Sequence, residues 1–368
     1  MKRRHFIRLG TIAITGLALG ACTSRITTSH VQQPLIYSAF DDDEGHHHFG
    51  LLNLQTQQLR SVKMAFRGHD VLQHPTRPNR AILFGRRPET RCCEVDFQTL
   101  ETREINISAH RHFYGHGCFS ADCLHLFTTE NDFNRARGVI GIRDTITFQH
   151  LGEFPSYGIG PHDIQLMPDG KTLVIANGGI RTHPDFGRRK LNLNSMCPSL
   201  VYIDSESGKK LGQYTLPDPQ LSIRHLLITP SGDVGVALQY QGKRLPASLV
   251  AWQKQGQALK LLDTPATVIR ALNGYMADLA FAPTSNILLA TSPRGNQIMV
   301  WDTNNERYLK NIPVTEPSGV FFLEQENSFV ISNSAGKIMA LDAETLQLTK
   351  TFYQNSAVKW DNHMQFYS

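Results

Sequence analysis

The chain has 368 residues, and its 37 lysines and arginines against 32 aspartates and glutamates give a formal net charge of +5. This length suits one large β domain or two smaller domains. Four basic residues lie within the first eight positions, so removing Lys2, Arg3, Arg4 and Arg8 from the +5 total leaves +1. The remaining lysines and arginines are scattered and form no basic stripe, which argues against a nucleic-acid partner.

The first 33 residues are predicted to be a targeting segment and a tether. The basic start is followed by an apolar run, Leu9 to Ala21, which is too short to span a bilayer. The adjacent arginines and this run resemble a bacterial twin-arginine export signal. The LGAC sequence that ends at Cys22 resembles a lipobox. We predict a signal peptide over 1–21 and a polar tether over 22–33, with Cys22 either acylated or beside a plain cleavage site.

Export would place the protein in the periplasm. A lipid on Cys22 would anchor it to the outer membrane and would be its only membrane contact. Disulfides are permitted in that compartment, and the odd number of remaining cysteines leaves at least one unpaired. Cys118 and Cys123 flank a short turn and could pair, whereas burial as small apolar side chains is the alternative. The five cysteines are Cys92, Cys93, Cys118, Cys123 and Cys197.

From residue 34 to residue 368, the sequence repeats short strands and polar turns. An apolar strand that ends in a turn recurs roughly every 40 to 60 residues, a period that indicates propeller blades. The turns open at Asn53, Asp96, Arg143, Asp204, Gln253, Asp302 and Asp342. Seven such units predict an all-β fold, a seven-bladed β-propeller. The N-terminal unit, 35–66, lacks an innermost strand, so the C-terminal segment, 362–367, is predicted to pair with it and close the ring.

Histidine is concentrated at one position of this repeat. The residues predicted to begin the innermost strands are His69, His116, His162, His225, Ala277, Gly319 and His363. Five of these seven are histidine, although the chain has only 16 histidines. At one mouth of the channel they would be rigidly held nitrogen donors, which suit a transition metal such as iron or copper. The alternative is a structural set, as in WD-type blades, where a Gly-His pair supports its own blade.

Further candidate ligands lie beside this set or in long loops expected on the same face of the propeller. These accessory candidates are His46, His47, His48, His110, His112, His183 and Asp163. The segment 41–48 mixes four acids with three histidines, and it would bind a metal weakly or be only a solvated hairpin tip. The sequence contains no GxSxG, HExxH or Walker motif, so an enzyme is the less favoured class.

Several segments together resemble a bacterial domain-of-unknown-function family of exported propellers with YVTN- and WD-like repeats. They are the twin-arginine start, GPHDIQLMPDGKTLVIANGGI with the long basic insertion after it, and the IRHL and YMADLAF strands. Members are often encoded beside imelysin-type iron-uptake lipoproteins, which implies periplasmic iron or copper handling. The hypothesis is a monomeric, non-catalytic protein that holds a metal through a His-lined channel mouth and presents it to partner lipoproteins. The alternatives are a metal-dependent or lactonase-like propeller enzyme and a metal-free interaction scaffold.

Overall fold

The computed structural model describes residues 34–367. These residues form seven four-stranded antiparallel sheets arranged in a ring, so the predicted seven-bladed β-propeller is confirmed. The predicted signal peptide, the tether and Cys22 lie outside the described residues. Within the described part of the chain, no helix has the length and apolar character needed to cross a membrane.

The strands are numbered in chain order and the blades are numbered from 1 to 7. Blade 1 contains β1 (Leu35–Asp41), β2 (His47–Asn53) and β3 (Leu59–Met64); blade 2 contains β4 (Gly68–Gln73), β5 (Arg80–Gly85), β6 (Cys92–Asp96) and β7 (Thr102–Glu104); blade 3 contains β8 (Arg111–Phe119), β9 (His125–Asp132), β10 (Arg137–Asp144) and β11 (His150–Pro155); blade 4 contains β12 (Pro161–Leu166), β13 (Thr172–Asn177), β14 (Ser199–Asp204) and β15 (Lys210–Tyr214).

The remaining blades follow the same order. Blade 5 contains β16 (Leu221–Ile228), β17 (Val234–Tyr240), β18 (Val250–Gln253) and β19 (Lys260–Leu261); blade 6 contains β20 (Leu279–Ala282), β21 (Ile287–Ser292), β22 (Gln297–Asp302) and β23 (Arg307–Pro313); blade 7 contains β24 (Pro317–Leu323), β25 (Ser328–Asn333), β26 (Lys337–Asp342) and β27 (Leu348–Gln354). One short helix, α1 (Ala266–Ala271), precedes blade 6. Short 3₁₀ turns lie at Pro184–Phe186, Leu193–Ser195, Pro293–Gly295 and Glu324–Glu326.

The C-terminal strand β28 (Lys359–Tyr367) is the innermost strand of blade 1. It pairs with β1 from Leu35 opposite Tyr367 to Asp41 opposite Lys359, as the sequence predicted. The innermost strand of each blade contacts that of the next blade, and β24 of blade 7 contacts β28. The apolar core lies between successive blades, where the buried β-branched and aromatic residues of one sheet pack on the next.

An Asp or Asn at the end of the third strand fixes the outer turn in six blades. Its side-chain oxygen accepts the backbone N–H groups two and three residues further on, which is the reason these residue types favour turns. The six residues are Asn53, Asp96, Asp144, Asp204, Asp302 and Asp342. In blade 3 this role belongs to Asp144, one residue beyond the predicted Arg143. In blade 5, Gln253 instead donates to the Gln257 carbonyl at 2.6 Å.

The innermost strands share an irregularity that decides where the site lies. In six blades the register between the innermost strand and its neighbour shifts at the histidine position, which is the signature of a β-bulge. In blade 6, Thr291 of β21 hydrogen-bonds with both Ala277 and Asp278, so the same two-against-one arrangement is present. A β-bulge changes the direction in which a side chain points. In each blade the bulge therefore sets the orientation, relative to the channel, of the residue at the histidine position.

The prediction that the histidines begin their strands is wrong for three of them. Strand β8 begins at Arg111, β16 at Leu221 and β28 at Lys359, so the following histidines lie in mid-strand: His116, His225 and His363. The bulge interrupts the alternation of apolar and polar residues, so the sequence pattern hides the first half of each strand. The imidazoles therefore lie inside the channel and not at its rim.

The described cysteines are all free thiols, so the alternative of a Cys118–Cys123 disulfide is not realised. Cys92, Cys93 and Cys118 are buried, whereas Cys197 is exposed. Burial raises the pKa of the Cys118 thiol, which keeps it protonated and unreactive.

Candidate metal site in the channel

Five imidazole rings meet on the axis of the propeller. They belong to blades 1 to 5 and are His363, His69, His116, His162 and His225. All five are buried, and the most accessible of them is only 7% exposed. The ring centroids of His225 and His363 are 4.4 Å apart, and those of His69 and His162 are 5.6 Å apart. Residues more than 40 positions apart in sequence thus form one compact cluster.

Four of the rings form a set with metal-ligand spacing. One nitrogen each from His69, His116, His225 and His363 lies within 4.8 Å of the other three. Around one tetrahedral ion with bonds of about 2.1 Å, ligand nitrogens lie about 3.4 Å apart, so nitrogens up to 4.8 Å apart would close by up to about 1.4 Å to hold an ion. His162 is outside this set, but its Nε2 lies 2.8 Å from His225 Nε2. The geometry therefore brings together four of the five predicted ligands and places the fifth beside one of them.

Aspartate carboxylates contact the Nδ1 atoms of three of these rings. The Nδ1 atom of His69 lies 3.4 Å from Asp361 Oδ1, and that of His116 lies 3.2 Å from Asp70 Oδ2. His363 Nδ1 lies 3.4 Å from Asp278 Oδ1. A carboxylate on one ring nitrogen fixes the ring and directs the other nitrogen to a metal, a pairing that recurs around metal-binding histidines.

The nitrogens on the other side of two rings have no partner in the described structure. His116 Nε2 and His363 Nε2 are both buried and accept or donate no hydrogen bond. Buried polar atoms are nearly always satisfied, so such atoms indicate a missing ligand or solvent. Their positions fit the free coordinating nitrogen of a carboxylate–histidine pair.

Aspartates that follow the histidine position link each even-numbered blade to the next blade. Asp163 accepts the N–H of Ile164 at 2.7 Å and that of Leu226, in blade 5, at 2.8 Å. Asp278 does the same with Leu279 and with Val320 of blade 7, at 3.0 and 2.9 Å. The accessory candidate Asp163 is thus a positioning residue, and it lies 3.6 Å from His116 Nδ1.

Three residues of the site are missing from the sequence prediction, namely Asp278, Asp361 and Gly115. Asp278 directly follows Ala277, just as Asp163 directly follows His162. This repeated position in the blade could have identified Asp278 from the sequence. Gly115 adopts a φ of 111°, and a Cβ there would lie 2.6 Å from His69 Cδ2. Only glycine lets this ring pack so closely against the neighbouring blade.

Three of the five imidazoles in the cluster favour the neutral form, and one favours the protonated form. Burial lowers the pKa of three imidazoles far below the usual value, and these are His69, His162 and His225. Burial also lowers the pKa of His363, but the carboxylates of Asp278, Asp70 and Asp163 outweigh it and raise the pKa to about 9. Neutral imidazole is the form that binds a metal, and surrounding carboxylates stabilise a bound cation.

A cavity of about 500 Å³ lies on one side of the cluster. Its wall includes His116, His225 and His363, and it continues along the innermost strands past Leu72 and Phe322. Those strands run towards the short turns, so the cavity extends to the face opposite the long loops. This cavity therefore lies on the side opposite the long-loop mouth at which the sequence placed the ligands.

The hairpin histidines are engaged by acids of their own hairpin. His46 Nδ1 lies 3.2 Å and His48 Nε2 3.0 Å from Asp42, and His47 Nδ1 lies 2.7 Å from Asp41. These contacts order the tip and lower the pKa of Asp42. Within residues 34–367, this group does not join the channel cluster.

The other accessory histidines also lie outside the channel cluster of the described residues. His112 is fully buried, with Nδ1 2.9 Å from the Phe113 carbonyl and Nε2 3.1 Å from Thr182 Oγ1; burial lowers its pKa to about 4. His183 Nδ1 accepts the N–H of Asp185 at the start of a 3₁₀ turn. His110 is exposed in a left-handed conformation, with a φ of 61°.

Comparison with known proteins agrees with the fold. The solved structure of Kuenenia stuttgartiensis hydrazine synthase contains a similar chain, with a TM-score of 0.61 and 16% identity over 90% of this chain and 99% of that one. Because 1465 solved chains match, this likeness shows the propeller fold and does not select a function. Among curated proteins, none matches significantly. Residues 62–367 match the family described as "Protein of unknown function (DUF1513)", and since the match covers most of the chain, the protein belongs to that family.

Proposed function

We propose that this protein binds one transition-metal ion, iron or copper, through His69, His116, His225 and His363. The observation that carries the proposal is the approach of four ring nitrogens from four blades to within 4.8 Å of one another. Imidazole nitrogen suits iron, copper, zinc and nickel and is a poor choice for calcium or magnesium. The surrounding aspartates add the negative charge that a buried cation needs.

The state of the rings supports metal binding over a purely structural role. A structural histidine saturates its nitrogens, as His112 does in the same blade. In contrast, His116 uses Nδ1 for Asp70 and leaves a buried Nε2 without a partner. A coordinated ion would satisfy that nitrogen and the equivalent nitrogen of His363.

The ligand set supports a binding protein more than an enzyme. Catalytic metal sites commonly keep one coordination position open for water or substrate. Here four imidazoles could fill a tetrahedral shell, with His162 next to His225. The cavity on the short-turn side offers a route for loading and release.

We also propose a cellular location and a class of partner, and both rest on the sequence features alone. Residues 1–33 carry the export and lipobox patterns, so the protein would act in the periplasm, and a lipid on Cys22 would anchor it to the outer membrane. The partners in this proposal are periplasmic iron-uptake lipoproteins, which would receive the metal from it.

The test is a metal titration of the purified, metal-free protein with Cu²⁺, Fe²⁺ and Zn²⁺ against a competing chelator. We expect one equivalent of at least one ion to bind with a Kd of about 1 μM or tighter. The double variant His116→Ala/His363→Ala should lose this binding and keep its circular dichroism spectrum. His150→Ala, on the outermost strand of blade 3, is the matched control and should bind as the wild type does.

Two results would contradict the proposal. One is wild-type binding weaker than about 100 μM for every ion tested. The other is equal affinity in the wild type and in a folded double variant, because the metal would then lie elsewhere.

A further inference from the structure

Arginines gather on the long-loop side of the histidine cluster. Arg67 immediately precedes β4, and Arg86 and Arg87 lie in the connection from β5 to β6. Arg224 precedes His225 within β16, and Arg188 belongs to the long segment between β13 and β14. All these positions lie towards the same end of the propeller, opposite the cavity described above.

Only part of this positive charge is matched by acids. Asp361 pairs with Arg67 at 2.8 Å and with Arg86 at 2.9 Å. Among the described residues, neither Arg87 nor Arg224 forms an ion pair, although they are only 8% and 6% exposed. The Nε atoms of both are buried without a hydrogen-bond partner. Two buried guanidinium groups therefore lack both a counter-ion and full hydrogen bonding.

One aromatic side chain, Tyr114, supports Arg87. The Arg87 guanidinium carbon lies 5.5 Å from the centre of the Tyr114 ring. The Tyr114 hydroxyl donates to the Ile180 carbonyl at 2.8 Å, so the ring is fixed from the other side. A cation–π contact of this kind holds a guanidinium group in place while other N–H groups stay free to bind.

The arginines repel one another. Burial is the main cause that lowers the pKa of Arg87, and the neighbouring Arg86 lowers it further. Arg188 is exposed at the rim, and partial desolvation together with the charges of Arg86 and Arg87 lowers its pKa to about 10. An unpaired buried charge is costly, and a bound anion would offset that cost.

We propose that Arg87 and Arg224, with Arg188 at the rim, form a binding site for an oxyanion, either a carboxylate or a phosphate group. Guanidinium groups recognise both through paired N–H···O bonds. The site is separate from the four-histidine set, and the proposal stands whether or not a metal binds there.

The test is calorimetric titration of metal-free protein with citrate and with phosphate at constant ionic strength, with chloride as the reference anion. We expect at least one oxyanion to bind and chloride to give no specific heat. Stronger binding of citrate identifies the carboxylate class, and stronger binding of phosphate identifies the phosphate class. In Arg87→Gln and Arg224→Gln, the affinity should fall about tenfold or more. Arg135→Gln is the control, since this side chain is 71% exposed and pairs with Asp132.

Thermal melting separates binding from folding. Because each glutamine removes an unpaired buried charge, the ligand-free variants should melt at or above the wild-type temperature. If a glutamine variant does not fold, Arg87→Lys serves in its place. This variant keeps the positive charge but loses the paired N–H donors of the guanidinium group, so it should bind the oxyanion more weakly than the wild type does. Equal oxyanion affinity in the wild type and the folded variants, or no binding at about 10 mM, would overturn the proposal. Metal titration is a separate measurement, so the two proposals fail independently.

Discussion

Blades 6 and 7 differ from the other five in the residue at the histidine position, and they show what the repeat requires. Blade 6 has Ala277 and blade 7 has Gly319, yet both innermost strands keep the irregular pairing at this point. Asp278 also links these two blades as Asp163 links blades 4 and 5. The bulge and the link therefore form without imidazole, so folding alone does not explain the five histidines.

A second contrast lies within strand β8. His112 and His116 are both buried, but His112 hydrogen-bonds through both nitrogens whereas His116 leaves Nε2 unpaired. The fold needs the first ring, and we infer that a ligand needs the second. This pair gives the sharpest way to separate structural from functional histidines.

The largest expected effect comes from replacing each of these two histidines with alanine and comparing metal affinity with stability. His116→Ala should weaken metal binding about 100-fold, or about 2.7 kcal/mol, because it removes a ligand. It should change the free energy of unfolding of the metal-free protein by less than about 1 kcal/mol. His112→Ala should do the reverse, with about 2–3 kcal/mol less stability and unchanged metal affinity, because Asn131 and Thr182 lose a buried partner.

Chelator competition and denaturant unfolding measure the two effects. If His112→Ala and His116→Ala lost stability equally and bound metal equally, both rings would be structural. The contrast within β8 would then have no functional meaning.

The next effect concerns the glycine of blade 7. A Cβ at Gly319 would lie 3.0 Å from both the Asn362 carbonyl oxygen and the Met364 nitrogen, which are backbone atoms of β28. Gly319→Ala should therefore push β28 away, lower the free energy of unfolding by about 1–3 kcal/mol and weaken metal binding through His363. Gly152→Ala is the control, because a Cβ there meets no atom within 4 Å. Equal stability of the two variants in urea would show that the close approach is not required.

The sequence predicted the fold because each blade repeats local signals. Turn residues and alternating apolar strands are readable in every unit, and the missing innermost strand of the first unit pointed to 362–367. The pattern also selected the histidines that meet in the channel, since equivalent positions in a ring converge on its axis.

The details of the site depend on features with no local signal. The bulges shift the register by one or two residues, so His116, His225 and His363 lie deeper than the pattern indicated. The contacts of Asp278 with His363 and of Asp361 with His69 join residues that are 85 (363 − 278) and 292 positions apart in the sequence. The buried, unpaired state of Arg87 and Arg224 likewise depends on which neighbours tertiary packing provides.

The smallest expected effect tests whether the aspartates act on the histidines or only on the backbone. Asp278 and Asp163 make matching pairs of backbone contacts, but Asp278 lies 3.4 Å from His363 Nδ1, whereas Asp163 lies 3.6 Å from His116 Nδ1, on a ring that Asp70 already holds at 3.2 Å. Asn keeps one acceptor oxygen, so Asp278→Asn and Asp163→Asn should each cost about 1 kcal/mol of stability. Only Asp278→Asn should also weaken metal binding about tenfold, because it loses the carboxylate that orients a ligand ring. Equal losses of metal affinity in the two variants would mean that these carboxylates act through the bulges or through the net charge of the site, and not through one histidine.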